Sequence, residues 1–391
     1  MAALDGVRIL DLTRLLPGPF ATLVLADLGA VVDKVEDVGA GDYLRHTPPV
    51  VGEMGAAFHI LNRGKRSLAL DLKTPQGAAA FRRLVSSYDV VFEQFRPGVM
   101  DRLGLGHGDL LRENPRLILC ALTGYGQEGP LRDRAGHDLN YMARAGLLGL
   151  QGPADDKPTL PAFQLADVSG GMWAIIAILA ALRERDQTGK GQILDIAMID
   201  SVIPFATIGL SRLLGGEIPT RGQELLSGGV APYQTYRTKD DAFMSLGALE
   251  PKFLMRFCTA VGLEVDMTAL LPGEHQQALQ GRFSEVFASR TRAEWEAFNA
   301  EHDCCLEPVL RPDELQDDAH IRARELFQTL PLAEGSVGVY RTPVTPRDFP
   351  KSPGPSQGQH SVGILREAGF SGQEIRDLAE CGALRSADNS A

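Results

Sequence analysis

Positive charge is in short supply. Lys and Arg number 39 against 50 Asp and Glu, a formal net charge of −11. That excludes a general nucleic-acid binder, which needs surplus cations to displace counterions from phosphates, so an anionic ligand would have to meet a local basic cluster. Cysteine is scarce and lacks a pairing pattern: five residues, at 120, 258, 304, 305 and 381, with no C-x-x-C. This argues against a disulfide framework and for reduced thiols in a cytoplasmic protein. Long apolar runs are missing. The longest helix-like one, Met172 to Leu182, falls short of a bilayer's thickness, and the opening "MAALDGVRILDLTR", with Asp5 and no apolar stretch, does not read as a signal peptide. No membrane or nucleic-acid partner is expected.

Several chemical signatures are absent too. The eight histidines are scattered, with no H-x-x-x-H or H-E-x-x-H, so no metal site is expected. No G-x-S-x-G nucleophile elbow occurs. "GLGHG" (Gly104 to Gly108) and "TGKG" (Thr188 to Gly191) lack the full spacing of phosphate-binding loops and read as turns.

What is present is a chain of 391 residues, 44% apolar and 23% charged, longer than one core usually grows. The first third alternates strand-like and helix-like runs: "VRIL", a turn at "LLPGP", the helix "FATLVLADLG", "AVVDKVE", "SLALDL", a helix from Thr74 as cap and Pro75, then "DVVFEQF" and "RLILCALTG". Strands separated by helices imply an α/β fold, a parallel sheet covered on both faces. Residues 1–199 read as the large α/β domain and 200–227 as a connector. Residues 228–328 read as a smaller α+β domain that begins with a hairpin around "KDD", and 329–391 as a C-terminal return to the large domain.

Three candidate acid/base groups fall beside predicted helix starts. His137 and Asp138 close the loop "GYGQEGPLRDRAGHDLNY" (Gly124 to Tyr141) before a helix over 139–145. Asp167 precedes the glycine turn "VSGGM" into the long apolar helix. Glu250 precedes Pro251 and "KFLMRFCTAVG". Unpaired N–H groups there favour negative charge and could hold an oxyanion. Singly, each reads more simply as a cap or a loop residue.

Together, "TGYGQEGPLRDRAGHDLNY", "LADVSGGM", "RERDQTGKGQILDIAMID", "GGVAPYQTYRT" and "GALEPKF" resemble family III CoA-transferases, the fold of formyl-CoA and carnitine-CoA transferases, and within that family the α-methylacyl-CoA racemases. The resemblance implies a Rossmann-like large domain and an interlocked homodimer whose active site joins the large domain of one subunit to the small domain of the other. Transferases of the family use an aspartate at the position of Asp167 as nucleophile; racemase-type members keep it and add a histidine and a glutamate, here His137 and Glu250. By that resemblance the function is racemisation of 2-methylacyl-CoA thioesters, with CoA transfer through Asp167 as the alternative. No cofactor is expected beyond the CoA of the acyl-CoA substrate.

Inversion at the α-carbon needs a base on one face and an acid on the other. Asp167 and His137 would fill these roles, with Glu250 orienting the imidazole and the Asp138 N–H holding the enolate oxygen. The resemblance lays Arg63, Lys65 and Arg66 of "NRGKR" and Arg96 of "EQFRPG" along the CoA phosphates and ribose. Leu72 and Lys73 would border the adenine, and Tyr141 joins this binding set. A solvated basic turn is an equally simple reading of any one of these cations. One departure stands out: where some racemases carry a pyrophosphate-binding arginine after "KVE", this chain has Asp37, for which Arg45 is a candidate substitute. Met142 and Met172 are candidates for lining an adaptable acyl groove.

Overall fold

The computed structural model describes residues 2–348 and 352–387. They form two compact units. One takes the described residues within Met1–Met142, Phe163–Val202 and Ala319–Ala391; the other comprises Ala143–Ala162 and Ile203–Asp318. The division differs in detail from the sequence boundaries. The stretch 143–162 goes with the second unit, as does the expected connector from Ile203 onward, and the return begins at Ala319.

The first unit is built on a seven-stranded sheet. Its strands are β1 (Arg8–Asp11), β2 (Val31–Glu36), β3 (Arg66–Leu70), β4 (Val90–Glu93), β5 (Ile118–Thr123), β6 (Gln192–Ala197) and the short β12 (Leu384–Arg385), in the order β12-β3-β2-β1-β4-β5-β6. All neighbours are parallel except β12 on β3. Every residue of β4 and β5 is buried. Burial on both faces is why these strands read as unbroken apolar runs rather than alternating ones. The order reverses beside β1: Ile9 lies opposite Val32 of β2 on one side and Val90 of β4 on the other. Chain crossovers leave that edge on opposite faces, which opens a crevice at the carboxyl ends of β1 and β4, the usual ligand position in such sheets.

Helix α1 (Pro17–Asp27) starts inside the expected "LLPGP" turn, with Pro17 in the first turn, where the missing N–H costs nothing. Helix α2 (Pro75–Val85) starts as expected: the Thr74 hydroxyl accepts from Gly77 N at 3.0 Å. Helix α3 (Asp138–Arg144) follows the His137 loop, and α4 runs from Leu165 to Thr188.

Helix α4 corrects two expectations. Gly170 and Gly171 make no turn; they lie inside the helix and Asp167 is in its first turn. A Cβ on Gly171 would stand 2.6 Å from the Pro17 carbonyl oxygen, and one on Gly170 would stand 2.8 Å from Met198 Cγ. The glycines therefore serve close packing against α1 and the segment after β6. The helix is also long and apolar enough to cross a membrane by length and composition, beyond the Met172 to Leu182 run read from sequence. Here Ala166, Gly170, Ala174, Ile178 and Ala181 are buried against the fold.

The second unit holds a three-stranded antiparallel sheet, β7 (Tyr233–Arg237), β8 (Phe243–Gly247) and β9 (Leu306–Pro308), under α5 (Pro251–Val261), α6 (His275–Phe287) and α7 (Arg292–His302). Its core is aromatic. Tyr236 stacks on Phe287 at 4.7 Å, and Phe287 meets Trp295 at 4.8 Å, contacts that add to the burial of their large surfaces. The hairpin β10 (Phe327–Pro331) and β11 (Ser336–Tyr340) and the tail helices α8 (Ser361–Glu367) and α9 (Gly372–Glu380) complete the first unit.

Candidate active site

At the carboxyl ends of β1 to β5 the first unit forms an open cavity of about 780 Å³. Segments leaving each strand line it, including Arg14 after β1, Asp37 after β2, Leu72 and Lys73 after β3, Arg96 after β4 and Gly124 after β5. His137, Tyr141 and Asp167 complete the wall.

The loop that carries His137 is folded around one tyrosine. A Cβ on Gly124 or Gly136 would lie 2.5 or 2.7 Å from Tyr141 Cε1, so both positions need glycine for the ring to fit. The Tyr141 hydroxyl donates to Gly136 O at 2.6 Å, and its ring meets Tyr125 edge-on at 5.2 Å. Burial pushes the Tyr141 phenol up to about 12, with Asp167 adding to the rise. Its proton is therefore a fixed donor rather than a mobile one. The His137 backbone N–H donates to Asn140 Oδ1 at 3.0 Å and its carbonyl accepts from Asn140 N at 2.8 Å. These bonds fix the backbone, while the imidazole is exposed and makes no hydrogen bond among the described residues.

Asp138 acts through its side chain as well as its position. Its Oδ1 accepts from Ala166 N at 2.6 Å and Asp167 N at 3.1 Å, capping α4, whose own N-cap residue Gln164 makes no side-chain cap. One carboxylate thus ties the start of α3 to the start of α4 and so fixes Asp167 relative to His137. The Asp138 N–H has no acceptor among the described residues. Burial pushes the Asp167 carboxyl up to about 7, and the negative charge of Asp138 beside it adds to the rise. Asp167 is therefore a group that exchanges a proton near neutrality.

Glu250 belongs to the second unit. It is the N-cap residue of α5, yet its side chain makes no cap hydrogen bond and is exposed. The plain reading as a helix cap fails for both acids: Asp167 lies inside its helix and Glu250 caps nothing.

The expected CoA-binding set divides. Leu72, Lys73, Arg96 and Tyr141 line the cavity; Arg63, Lys65 and Arg66 do not. Arg63 is fully buried in a two-bonded pair with Asp27 at 2.6 and 2.7 Å. Lys65, also buried, donates to Thr22 Oγ1, Asn62 Oδ1 and Asp11. Arg66 grips Asp33 and Glu367. Placing these three on phosphates is at odds with that pairing: Arg63 and Lys65 are taken up inside the protein, and Arg66, partly exposed, is already bonded to two carboxylates. Arg45 is likewise spent on Glu36 and is absent from the cavity wall, as are Met142 and Met172. Met198 lines it instead. Sequence reading missed Arg14, Arg132 and Arg134 on the wall. The signal for Arg14 was its place directly after the carboxyl end of β1. Lys73, Arg96 and Arg134 have no carboxylate partner among the described residues. An acidic protein thus presents unneutralised cations to one cavity.

The sequence profile of CoA-transferase family III matches residues 4–361. The chain belongs to CoA-transferase family III. It is 39% identical to the alpha-methylacyl-CoA racemase of Mus musculus over 388 residues, covering 96% of each chain. It is 34% identical to the succinyl-CoA:glutarate CoA-transferase of Mus musculus over 379 residues, covering 94% of this chain and 86% of the relative. The crystal structure of a CAIB/BAIF family protein from Brucella suis superposes with a TM-score of 0.82 at 31% identity, covering 94% of this chain and 99% of that one. This family III enzyme thus has both racemase and transferase relatives, and the cavity's chemistry must decide between them.

Proposed function

We propose that the enzyme is a racemase that interconverts (2R)- and (2S)-2-methylacyl-CoA thioesters by moving the α-proton through an enolate. The observation that carries this reading is the placement of His137 and Asp167 on one cavity wall, tied together through Asp138, where burial and the Asp138 charge push the Asp167 carboxyl up to about 7. A nucleophile for acyl transfer is best kept ionised, whereas a group that gives and takes a proton works best near the operating pH.

In one direction neutral His137 removes the α-proton. The C–H electron pair moves into the thioester carbonyl as an enolate, and protonated Asp167 delivers its proton to the opposite face of the carbon. His137 is left protonated and Asp167 ionised, which is the starting state for the reverse direction, so the pair needs no outside reagent. The unpaired Asp138 N–H is suited to hold the enolate oxygen; one such donor is worth ~3 kcal/mol of barrier. Glu250, with no capping duty, would orient the imidazole. By the family resemblance it would come from a partner chain in an interlocked homodimer. Apolar side chains left exposed support such a dimer: Met172, Trp173 and Ile176 in the first unit, and Phe205, Ile208, Leu214 and Ile218 in the second. The five unpaired cysteines suit a reducing cytoplasm.

The unpaired cavity cations supply the charge that CoA phosphates require. The transferase relative keeps a second reading in view, in which the Asp167 carboxylate attacks the thioester carbonyl of the acyl-CoA, CoA thiolate leaves, and a free carboxylate is the final acceptor of CoA. Racemisation without any carboxylate acceptor, abolished by His137→Ala, is the expected result. Turnover that depends on an acceptor and survives His137→Ala would replace the racemase with a transferase.

A further inference from the structure

The wall between β1 and β2 carries Asp37 where a phosphate-binding cation was expected, and Arg45 is committed to Glu36. The chain places another arginine there. Arg14 lines the cavity, is exposed, and pairs with no carboxylate among the described residues. Its guanidinium lies 4.9 Å from the Tyr43 ring centroid and donates to the Tyr43 hydroxyl at 3.3 Å.

The backbone on either side of Arg14 is pinned. Thr13 O accepts from the buried Lys34 ammonium at 2.7 Å. Leu15 N–H donates to both Asp42 carboxylate oxygens at 3.2 and 3.3 Å, and Asp42 is itself paired with Lys34 at 2.9 Å. Leu15 is held at φ 63, a left-handed conformation unfavourable for a bulky residue. A buried Lys–Asp pair is thus spent on keeping a strained turn whose exposed product is one unpaired cation in the cavity. Such strain persists only where surrounding structure imposes it, and it concentrates at ligand clamps. Asp37 does not neutralise this cation: its carboxylate is turned to Gly39 N at 2.8 Å.

We infer that Arg14 is a phosphate-binding residue for the CoA portion of the substrate, supplying from β1 the charge that the position after β2 lacks. A guanidinium matches phosphate geometry with paired donors. The inference rests on the acyl-CoA reading above, and binding separates the two. Calorimetry with CoA, dephospho-CoA and pantetheine would be run on the wild-type protein, Arg14→Ala and Arg14→Lys, after unfolding curves show the variants folded. Arg14→Ala should weaken CoA about 10–100-fold, the loss of one charge-assisted phosphate contact, leave pantetheine binding unchanged, and be partly restored in Arg14→Lys. A penalty that persists with dephospho-CoA assigns the diphosphate; one that disappears assigns the 3′-phosphate. Equal affinity of wild type and Arg14→Ala for CoA, or an equal loss for pantetheine, overturns the inference. A wild-type protein that binds pantetheine as tightly as CoA overturns the phosphate-recognition reading itself.

Discussion

Replacing Asp167 with Asn should stabilise the fold, by an amount that depends on pH. In the folded chain the carboxyl is raised from 3.8 to about 7 by burial, with the Asp138 charge contributing; in the unfolded chain it titrates at its ordinary value. Between those limits the folded protein holds a proton that the unfolded chain has released. Stability therefore falls as pH rises through this window, and the loss is complete above the folded value. The full difference corresponds to ~4 kcal/mol, and partial exposure to solvent brings it to roughly 2–4 kcal/mol. Asn is nearly the same shape and carries no charge, so it should escape this loss. Urea unfolding of wild type and Asp167→Asn from pH 3.5 to 8.5 should give nearly equal stabilities at the acid end. A gap in favour of the variant should open mainly between pH 4 and 7 and level off above. A gap independent of pH, or one favouring wild type at pH 8, would refute the claim that the site holds Asp167 against its charged form. The same variant should lose racemisation, which separates what the residue does for chemistry from what it costs the fold.

Asp138→Asn removes the neighbouring negative charge while keeping an oxygen to cap α4. The kcat/KM limb set by Asp167 should move to lower pH, read from a pH-rate profile, at a stability cost of about 1 kcal/mol or less. Gly171→Ala should force α4 away from the Pro17 carbonyl and lower stability by roughly 1–3 kcal/mol in urea unfolding. Arg63→Ala should act on the fold rather than on the substrate, because it removes both guanidinium bonds from the buried Asp27 carboxylate: a loss of about 3–5 kcal/mol is expected, with CoA affinity unchanged in the folded fraction.

The strand-and-helix alternation of the first unit was legible because fully buried parallel strands and capped helices leave local marks, as at Thr74 and Pro75. Glycine was the main source of misreading. "VSGGM" and "LLPGP" look like punctuation, but Gly171 is glycine because Pro17, more than 150 residues earlier, needs the space, and that need has no local trace. The basic run "NRGKR" was misread for a related reason. Its acidic partners Asp11, Asp27, Asp33 and Glu367 lie far along the chain, so the sequence displays the cations and hides their neutralisation. His137 and Asp167 were legible as candidates through the family motifs. The raised Asp167 carboxyl and the Asp138 bridge between α3 and α4 were not, because both arise from burial and from contacts between segments.

The central claim is that two groups serve opposite faces of one carbon, and its most direct test is the early distribution of deuterium. One enantiomer of a 2-methylacyl-CoA would be incubated with the enzyme in deuterated water, with no carboxylate acceptor, and stopped at low conversion. The two enantiomers would be separated and their α-positions analysed. The account predicts deuterium in the inverted product and protium in the recovered substrate, since the proton delivered comes from a group other than the one that removed the first. Deuterium accumulating in uninverted substrate, or no α-exchange alongside CoA transfer once a carboxylate is supplied, would contradict it.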